Sequence, residues 1–298
     1  DGLAAGKGVD ICDSIEDAKS SIKKLLKPGE KIIIEDFIKG IELSAIYICN
    51  PNAPKKAIGL PWIKDYKSRD EFNSGPNTGG MGAISHPFCS YKKNDVYSLN
   101  VEIEKILIKT LVAINNNSGS ESKYNGFIYL GLMLSTSDNK PYILEYNCRM
   151  GDPETQNIIM YLDKNNVDFL DLIGFDNSNY PDNFNLSFID DRDISGFCCT
   201  VVLAAKGYPL APTKDFYLNI PQINDVDNIK IFHAGTRISN GAVRVTGGRI
   251  LSVNAFSDNK QDAIDLAYEY ISKIRAYNDA DLKSEDPDLV FYRKDIGS

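Results

Sequence analysis

The sequence predicts an α+β fold with mixed sheets, and two features of its hydrophobic pattern carry this prediction. Short runs of β-branched and aromatic residues, which are typical of strands, follow one another closely, whereas segments with helical spacing are fewer and irregularly placed. Strands and helices therefore do not alternate as a regular βαβ array requires. No internal repeat is visible in the 298 residues, a length that suits one large domain or two ordinary ones.

The first fifty residues predict one helix and two strands. A helix is expected over Ser14–Leu26, because apolar residues recur there at helical spacing, with Ser14 as its N-cap and Pro28-Gly29 as its end. The run Lys31–Ile38 is rich in β-branched residues and predicts a buried strand with two acids near its end. A second strand is expected at Leu43–Asn50.

The middle of the chain predicts two helices around a strand pair. Asp95–Asn115 has the pattern of a long amphipathic helix. Gly126–Leu134 and Pro141–Asn147 are expected to pair as strands around a polar turn. A further helix is expected to begin with Asp152 as its cap and Pro153 in its first turn.

The last third predicts strands followed by a helix. Residues 175–194 are rich in Asn and Asp, show no periodicity and are expected to form a loop. Strands are expected at Gly196–Ala204 and Asn228–Gly235, followed by a glycine-rich segment at Val245–Phe256. The pattern of Gln261–Tyr277 predicts a C-terminal helix.

Composition restricts the class of function. The formal net charge is -8, which disfavours a broad nucleic-acid surface, and no apolar run approaches the roughly 20 residues of a membrane helix. Six cysteines occur without a C-x-x-C pair, which favours reduced thiols in the cytoplasm over zinc or disulfides. Only two histidines are present, so a His-rich metal site is excluded.

The chain opens on "DGLAAGKGV", a glycine loop with one lysine. The glycines permit close backbone approach, their N–H groups can cradle a phosphate, and Lys7 adds a positive charge. The match to the P-loop pattern is incomplete, because Gly8 follows Lys7 where a hydroxyl residue would bind magnesium. Taken alone, the loop is equally compatible with a mobile surface segment.

The segment "ILEYNCRMGDPETQ" carries candidate metal ligands. Residues two apart in a strand share a face, so Glu145, Asn147 and Arg149 are expected to point the same way. A carboxylate and an amide oxygen suit Mg²⁺ that bridges nucleotide phosphates, and an arginine beside them suits a transferring phosphoryl group. The alternative is a structural salt bridge at the end of a sheet.

Two further segments carry polar groups without a decisive pattern. Asp65–Ser85 is long, polar and rich in Gly, Pro and Asn, and its residues 77–80 offer many donors for a carboxylate or phosphate. The alternative for this segment is a disordered linker. Glu35 and Glu42 lie near strand ends, where acids can accept hydrogen bonds from an adenine amino group or a ribose hydroxyl, although ordinary surface acids also occur there.

Together these four segments resemble the motifs of the ATP-grasp superfamily. Their residues and their order along the chain are similar to those of the phosphoribosylamine–glycine ligase family, whose members are also called glycinamide ribonucleotide synthetases. The resemblance covers nearly the whole chain and rests on "DGLAAGKGV", "GPNTGGMGA", "GLM", "NCRMGDPETQ", "AAKGYP", "FHAGT", "TGGRIL" and "YRKDIG". Its most specific part is "GPNTGGMGA" followed by "GDPETQ".

The resemblance implies an ATP-grasp fold with a β-rich C-terminal domain. Residues 1–45 would be the remainder of the lid subdomain, 46–175 the central mixed-sheet domain and 195–298 the C-terminal domain of the ligase unit. Family members also carry an N-terminal substrate domain and a nucleotide-contacting lysine upstream of the segment that matches Asp1. The chain is therefore expected to be a fragment that folds in large part but does not catalyse alone. A fusion to other purine-pathway domains stays open.

The resemblance also implies an activity. The family joins glycine to 5-phosphoribosylamine in purine biosynthesis, splits ATP to ADP and phosphate, passes through an acyl phosphate and uses Mg²⁺ or Mn²⁺. Its partners would be these small molecules, with neither nucleic acid nor membrane, and its location the cytoplasm. Two alternatives are a related ATP-grasp carboxylase of purine synthesis and an inactive nucleotide-binding remnant.

Residue roles follow from the resemblance by position. Metal ligands would be Glu145 and Asn147, and the catalytic residues would be Arg149, by the transferring phosphoryl group, and Asp152. ATP would be held by Gly6, Lys7, Gly8, Glu35, Phe37, Ile38 and Glu42. The substrates would be bound by Asn77, Thr78, Gly79, Gly80, Glu154, Arg293 and Asp295.

Three departures accompany the resemblance. Many ATP-grasp relatives place a metal-binding acid on the strand before the E-x-N segment, and Gly131-Leu132-Met133 offers none; this ligase family generally shares that absence. His86 is inserted at the exit of the loop and is interpreted as a spacer. The segment around Arg69 matches poorly, so Arg69 is given no role.

Overall fold

The computed structural model describes residues 9–26, 31–49, 57–85, 93–117, 124–174, 187–188, 195–224 and 228–298. The α-helices are α1 (Ile15–Leu25), α2 (Lys93–Asn117), α3 (Glu154–Lys164), α4 (Phe169–Gly174) and α5 (Lys260–Ile271). The first strands are β1 (Gly40–Cys49), β2 (Ala57–Gly59), β3 (Ile63–Asp65), β4 (Ser68–Asp70), β5 (Ser74–Asn77), β6 (Gly82–Ser85), β7 (Gly126–Ser135) and β8 (Pro141–Asn147). The later strands are β9 (Ser187–Phe188), β10 (Phe197–Ala205), β11 (Tyr217–Asn219), β12 (Ile229–His233), β13 (Thr236–Ser239), β14 (Ala242–Val245), β15 (Arg249–Ser257), β16 (Arg275–Tyr277) and β17 (Val290–Phe291).

One large sheet runs through both halves of the chain. Among the described residues it has 11 strands, in the order β12-β15-β10-β6-β3-β1-β2-β9, with β7 also on β1, β8 on β7 and β17 on β10. All of its pairs are antiparallel except β2 with β9, so the sheet is mixed. The pairing of β6 with β10 joins the central strands to the C-terminal ones. Side chains from either half can therefore meet at one site.

Two smaller sheets flank the large one. The first has the order β13-β14-β11-β16, and the second is the hairpin β4-β5. The tip of the hairpin holds Phe72 and Asn73, both with φ of 56°, in the left-handed region. This hairpin leads directly into residues 77–80.

The hydrophobic cores follow the alternation of strand side chains. On one face of the sheet, Leu43 and Tyr47 of β1 pack with Leu107 of α2. On the other face, Ile46 of β1 packs with Ile158 of α3. A third core lies between α5 and the strands β10 and β15. The central sheet is thus covered on both faces, as its near-continuous apolar strands require.

Most of the expected elements are confirmed. Ser14 caps α1 by accepting a hydrogen bond from the N–H of Asp17, and the strand pair β7-β8 forms around the expected turn. The two strands expected in the last third correspond to β10 and β12, and the glycine-rich segment after them contains the start of β15, which the pattern did not predict as a strand. The domain boundaries stay a prediction, and β1 runs through the one placed at residue 45. The loop expected at 175–194 lies outside the described residues, apart from β9.

Two of the expected elements are wrong in type or length. Lys31–Ile38 is neither a strand nor buried, because it pairs with no other segment of the described chain. The C-terminal helix ends at Ile271 and not at Tyr277, since Arg275–Tyr277 pairs with β11 as a strand. In both places long-range pairing, or the lack of it, overrides the local pattern. None of the helices in the described part of the chain has the length and apolar content needed to cross a membrane.

Candidate active site

The hairpin β7-β8 brings the two candidate metal ligands together. Glu145 and Asn147 lie on one face of β8, and the amide nitrogen of Asn147 is 3.3 Å from Oε1 of Glu145. Gly131 on β7 faces Glu145, and a Cβ added at this glycine would lie 2.9 Å from Cγ of Glu145. Gly131, at the strand position where many ATP-grasp relatives carry a metal-binding acid, has no side chain and therefore leaves room for the side chain of Glu145.

The donor chemistry of this pair fits a divalent cation. Glu145 is exposed and Asn147 is half-buried, and together they offer carboxylate and amide oxygens, which are hard ligands. The described residues contain no group of three or more His, Cys, Asp or Glu residues that would enclose a metal. Two protein ligands suit Mg²⁺, since this ion keeps several waters and binds substrate phosphates.

The turn after β8 carries the predicted catalytic residues. Arg149 is exposed, and its guanidinium donates to the carbonyl of Met150 at 2.9 Å. Asp152 was expected to cap α3, but the helix begins one residue later, with Pro153 at the N-cap position. The Asp152 carboxylate is instead held by the side chain of Gln156, at 2.9 Å. Both predicted catalytic side chains are thus exposed, and both follow Asn147 within five residues of the chain.

Glu154, the first residue of α3, points into the protein. Its residue surface is only 3% exposed, and Oε1 accepts hydrogen bonds from Ser44 at 3.1 Å and from Tyr129 at 3.0 Å. Burial and the neighbouring Glu154 carboxylate raise the pKa of Tyr129, so its hydroxyl stays protonated and donates. Two hydroxyl groups of the central sheet therefore fix this carboxylate.

Two ionisable residues that the sequence did not single out belong to this region: Asp65 lies near Glu154, and Lys67 lies near Asp65. Burial and the Glu154 carboxylate raise the pKa of Asp65 well above its usual range, although Lys67 opposes the shift. Lys67 forms an ion pair with Glu42, the residue predicted to hold ribose. Burial lowers the pKa of Lys67, but the carboxylates of Glu42 and Asp65 outweigh it and the net shift is upward.

The loop at residues 77–80 presents alternate residues to solvent. Asn77 and Gly79 are exposed, whereas Thr78 and Gly80 face inward. The Thr78 hydroxyl donates to the carbonyl of Lys67 at 2.8 Å and accepts from the N–H of Gly80 at 3.0 Å. Gly80 has φ of +115°, and a Cβ there would lie 2.4 Å from Cδ of Pro153. The predicted substrate loop and the 152–154 turn are therefore in contact.

Two C-terminal side chains that sequence reasoning missed reach this loop. Arg249, at the start of β15, donates to the carbonyl of Gly79 at 2.6 Å and to the carboxylate of Asp152 at 2.9 Å. The hydroxyl of Tyr208 accepts the N–H of Gly79 at 3.0 Å. Both residues lie in segments that carry the family resemblance, "TGGRIL" and "AAKGYP", which was the available signal.

Arg293 and Asp295 lie beneath the β4-β5 hairpin. Arg293 is 2% exposed and donates to both carboxylate oxygens of Asp295 and to the carbonyl of Ser68. Asp295 also accepts the N–H of Phe72, at the tip of the hairpin, at 2.8 Å. The structure thus shows this pair supporting the hairpin that leads to residue 77, and direct substrate contact stays a prediction.

The remaining predicted nucleotide ligands lie on the largely exposed segment before β1 or outside the described structure. Glu35 and Phe37 are exposed, and Ile38 is half-buried, on the segment before β1. Gly6, Lys7, Gly8 and His86 lie outside the described residues. The structure brings together residues of β1, β3, β8, the 77–80 loop and the 149–154 turn.

Comparison with protein families gives two matches that agree in name. Residues 1–155 match the family described as "Phosphoribosylglycinamide synthetase, ATP-grasp (A) domain". Residues 198–298 match the family described as "Phosphoribosylglycinamide synthetase, C domain". The two matches meet in space, because β6 of the first pairs with β10 of the second.

Curated relatives extend beyond this chain. A phosphoribosylamine–glycine ligase from Clostridium acetobutylicum is 37% identical over 306 residues, which cover 100% of this chain and 65% of that protein. The enzyme of the same name from Thermotoga maritima is 37% identical over 92% of this chain and 63% of its own length. The chain thus spans less than two thirds of these relatives.

Solved structures show the same fold. The crystal structure of phosphoribosylamine–glycine ligase from Thermotoga maritima has a TM-score of 0.75 and 34% identity, and the match covers 99% of this chain and 67% of that one. The biotin carboxylase domain of Hydrogenobacter thermophilus 2-oxoglutarate carboxylase has a TM-score of 0.61 at 13% identity, over 91% of this chain and 55% of that one. At that identity the second likeness concerns the fold alone.

Proposed function

The chain belongs to the phosphoribosylglycinamide synthetase family, and we propose that it supplies the ATP-grasp and C-terminal parts of a ligase that joins glycine to 5-phosphoribosylamine. ATP would be split to ADP and phosphate, and glycinamide ribonucleotide would be formed for purine biosynthesis. One observation carries the proposal: the 152–154 turn, which follows Glu145 and Asn147 of β8 in the chain, contacts the 77–80 loop, and Arg249 hydrogen-bonds both the loop and the turn.

The reaction would proceed in two displacement steps. The glycine carboxylate attacks the γ-phosphorus of ATP, which releases ADP and forms glycyl phosphate. The amine of phosphoribosylamine then attacks the glycyl carbonyl, the carbon–nitrogen bond forms, phosphate leaves, and the amine loses a proton. The first step brings two anions together, so positive charge and fixed geometry are what the protein must provide.

Glu145, Asn147 and Arg149 would provide that charge compensation. A divalent Mg²⁺ or Mn²⁺ bound by Glu145 and Asn147 would neutralise charge on the phosphates of ATP. The exposed guanidinium of Arg149 lies two residues beyond Asn147 and is free to reach a transferring phosphoryl group. Glu42, oriented by its ion pair with Lys67, would accept from the ribose hydroxyls, and Glu35, Phe37 and Ile38 would face adenine.

The two other substrates would lie on either side of the loop contact. Glycine is assigned to the 152–154 turn, where the exposed carboxylate of Asp152 can receive its ammonium group. Phosphoribosylamine is assigned to the outer face of the loop, where Asn77 and Gly79 are exposed. Since five described cysteines are free thiols and all reactants are small and polar, we infer a cytoplasmic location.

The test is phosphate release by a protein extended to the length of the curated relatives. Phosphate release is expected only when ATP, glycine and phosphoribosylamine are all present. The 298-residue chain alone is assayed in parallel, and we expect it to release no phosphate. Bicarbonate in place of glycine tests the carboxylase alternative. Release that depends on bicarbonate, or no release with all three ligase substrates, would overturn the proposal.

A further inference from the structure

The peptide group of Gly79 is held from both sides by C-terminal side chains. Its N–H donates to the hydroxyl of Tyr208 at 3.0 Å, and its carbonyl accepts from the guanidinium of Arg249 at 2.6 Å. Gly79 is exposed in the loop assigned to phosphoribosylamine, so a free peptide there would be expected to move. The two side chains instead define its orientation.

The same guanidinium also holds the 152–154 turn. Nη1 of Arg249 donates to the carbonyl of Asp152 at 2.6 Å, and Nη2 donates to its carboxylate at 2.9 Å. The Arg249 side chain is 21% exposed and that of Asp152 is 52% exposed, so solvent screens the charge attraction and the hydrogen-bond geometry carries the link. A single planar guanidinium group therefore links the loop to the turn. The several N–H donors of arginine are suited to binding both segments at once, whereas the single ammonium group of lysine is not.

Close packing leaves little freedom around this link. A Cβ added at Gly79 would lie 2.9 Å from Cζ of Arg249, and one at Gly248 would lie 2.3 Å from the ring of Tyr208. A Cβ at Gly80 would lie 2.4 Å from Cδ of Pro153. Glycines at these positions let the loop, the turn and the C-terminal strand approach within contact distance.

We propose that Arg249 and Tyr208 are positioning residues that set the distance between the 77–80 loop and the 152–154 turn for the second step of the reaction. This inference rests on the proposed function. The amine on one loop must approach the glycyl carbonyl on the other to about 3–3.5 Å, and a misplacement of about 1 Å can cost about 100-fold in rate. Tyr208 acts on the loop alone, whereas Arg249 acts on both segments.

The test compares the two steps in Arg249→Lys, Arg249→Ala and Tyr208→Phe of the full-length enzyme. Hydroxylamine, which attacks glycyl phosphate and releases phosphate, reports the first step without phosphoribosylamine. We expect transfer to phosphoribosylamine to fall about 100-fold in both Arg249 variants and about tenfold in Tyr208→Phe, with a much smaller fall in hydroxylamine trapping. Arg237→Ala, an exposed arginine on β13, is the matched control and should keep both rates.

Guanidinium rescue separates positioning from a general loss of structure. Millimolar guanidinium chloride should raise amine transfer by Arg249→Ala and leave Arg237→Ala unchanged, because the added cation can occupy the vacated position. Equal falls in both steps, or rates equal to the parent, would overturn the inference. If Arg249→Ala does not fold, Arg249→Lys and Tyr208→Phe decide. A parent enzyme without ligase activity would instead refute the proposed function.

Discussion

Two neighbouring segments with the same kind of sequence have opposite environments. The run Lys31–Ile38 and the strand β1 are both rich in β-branched residues and are separated by one residue. Ile33, Ile34 and Phe37 are 85%, 77% and 71% exposed, whereas Ala45 and Ile46 are 0% exposed. Apolar composition alone therefore does not distinguish the two segments.

The difference lies in their partners. Every residue of β1 pairs with β7, and its later residues also pair with β2 and β3 on the other edge. Within the described chain, residues 31–38 pair with no strand, and α1 before them has no buried residue. An apolar run becomes a buried strand only where neighbouring strands satisfy its backbone groups and other elements cover its faces.

Truncating one isoleucine in each segment gives the largest expected contrast. Ile46→Ala removes a fully buried side chain and leaves a cavity between β1 and α3, which should lower the free energy of unfolding by about 2–5 kcal/mol. Ile34→Ala, the matched change at an exposed position, should alter it by less than about 0.5 kcal/mol. Urea denaturation measures both values. Similar losses in the two variants would show that residues 31–38 are buried in solution.

Replacing one acid on the paired sheet and one on the unpaired segment extends the comparison to the chemistry of the site. Glu145→Gln keeps the shape but removes the charge of a side chain fixed by the β7-β8 hairpin, so kcat should fall by about 100- to 1000-fold. Glu35→Gln, on the unpaired segment, should change mainly the KM for ATP, by less than about tenfold. Steady-state kinetics of the full-length enzyme at saturating magnesium decide, with thermal melting as the folding control. Near-normal kcat in Glu145→Gln would remove its assignment as a metal ligand.

The buried region should also show a pH-dependent stability that the exposed one lacks. Burial and Glu154 raise the pKa of Asp65, while Lys67 and the N–H of Tyr66 oppose this and Glu42 adds to it. A carboxyl that binds its proton more tightly when folded stabilises the fold at low pH, and this contribution is lost as the pH rises from about 4 through the raised pKa.

Asp65→Asn removes this titration. The free energy of unfolding of the variant should therefore rise relative to that of the parent as the pH rises from 4 to 8. The exposed control Asp36→Asn should change this free energy by less than about 0.5 kcal/mol at any of these pH values. At pH 8 the gain in Asp65→Asn should exceed that change. Urea denaturation at several pH values measures the difference. A gain that is constant or declines with pH would contradict the raised pKa.

The smallest effect is expected at the cap of α1. Ser14→Ala removes the hydrogen bond to the N–H of Asp17, which should weaken the helix by about 1 kcal/mol. Because α1 has no buried residue, the loss should appear as faster amide exchange within residues 15–25 and leave global unfolding unchanged. A shift of the global transition would show that α1 packs against other elements.

Local patterns by themselves determined a substantial part of this protein. The alternation of side chains along a strand was enough to place Glu145 and Asn147 together, and the polar turn between two apolar runs was enough to predict the β7-β8 hairpin. Ser14 and the start of α1 were likewise predictable from neighbouring residues. These features depend on groups only a few positions apart, whose geometry the backbone dictates.

Tertiary structure alone decided the rest. Arg249 meets Gly79 across 170 positions and Asp152 across 97, and Ser44 meets Glu154 across 110. The same long-range pairing makes Arg275–Tyr277 a strand and leaves Lys31–Ile38 without one. A side chain's type states which bonds it can make, but its partners depend on which distant strands come to lie side by side, and that is a property of the whole packed sheet.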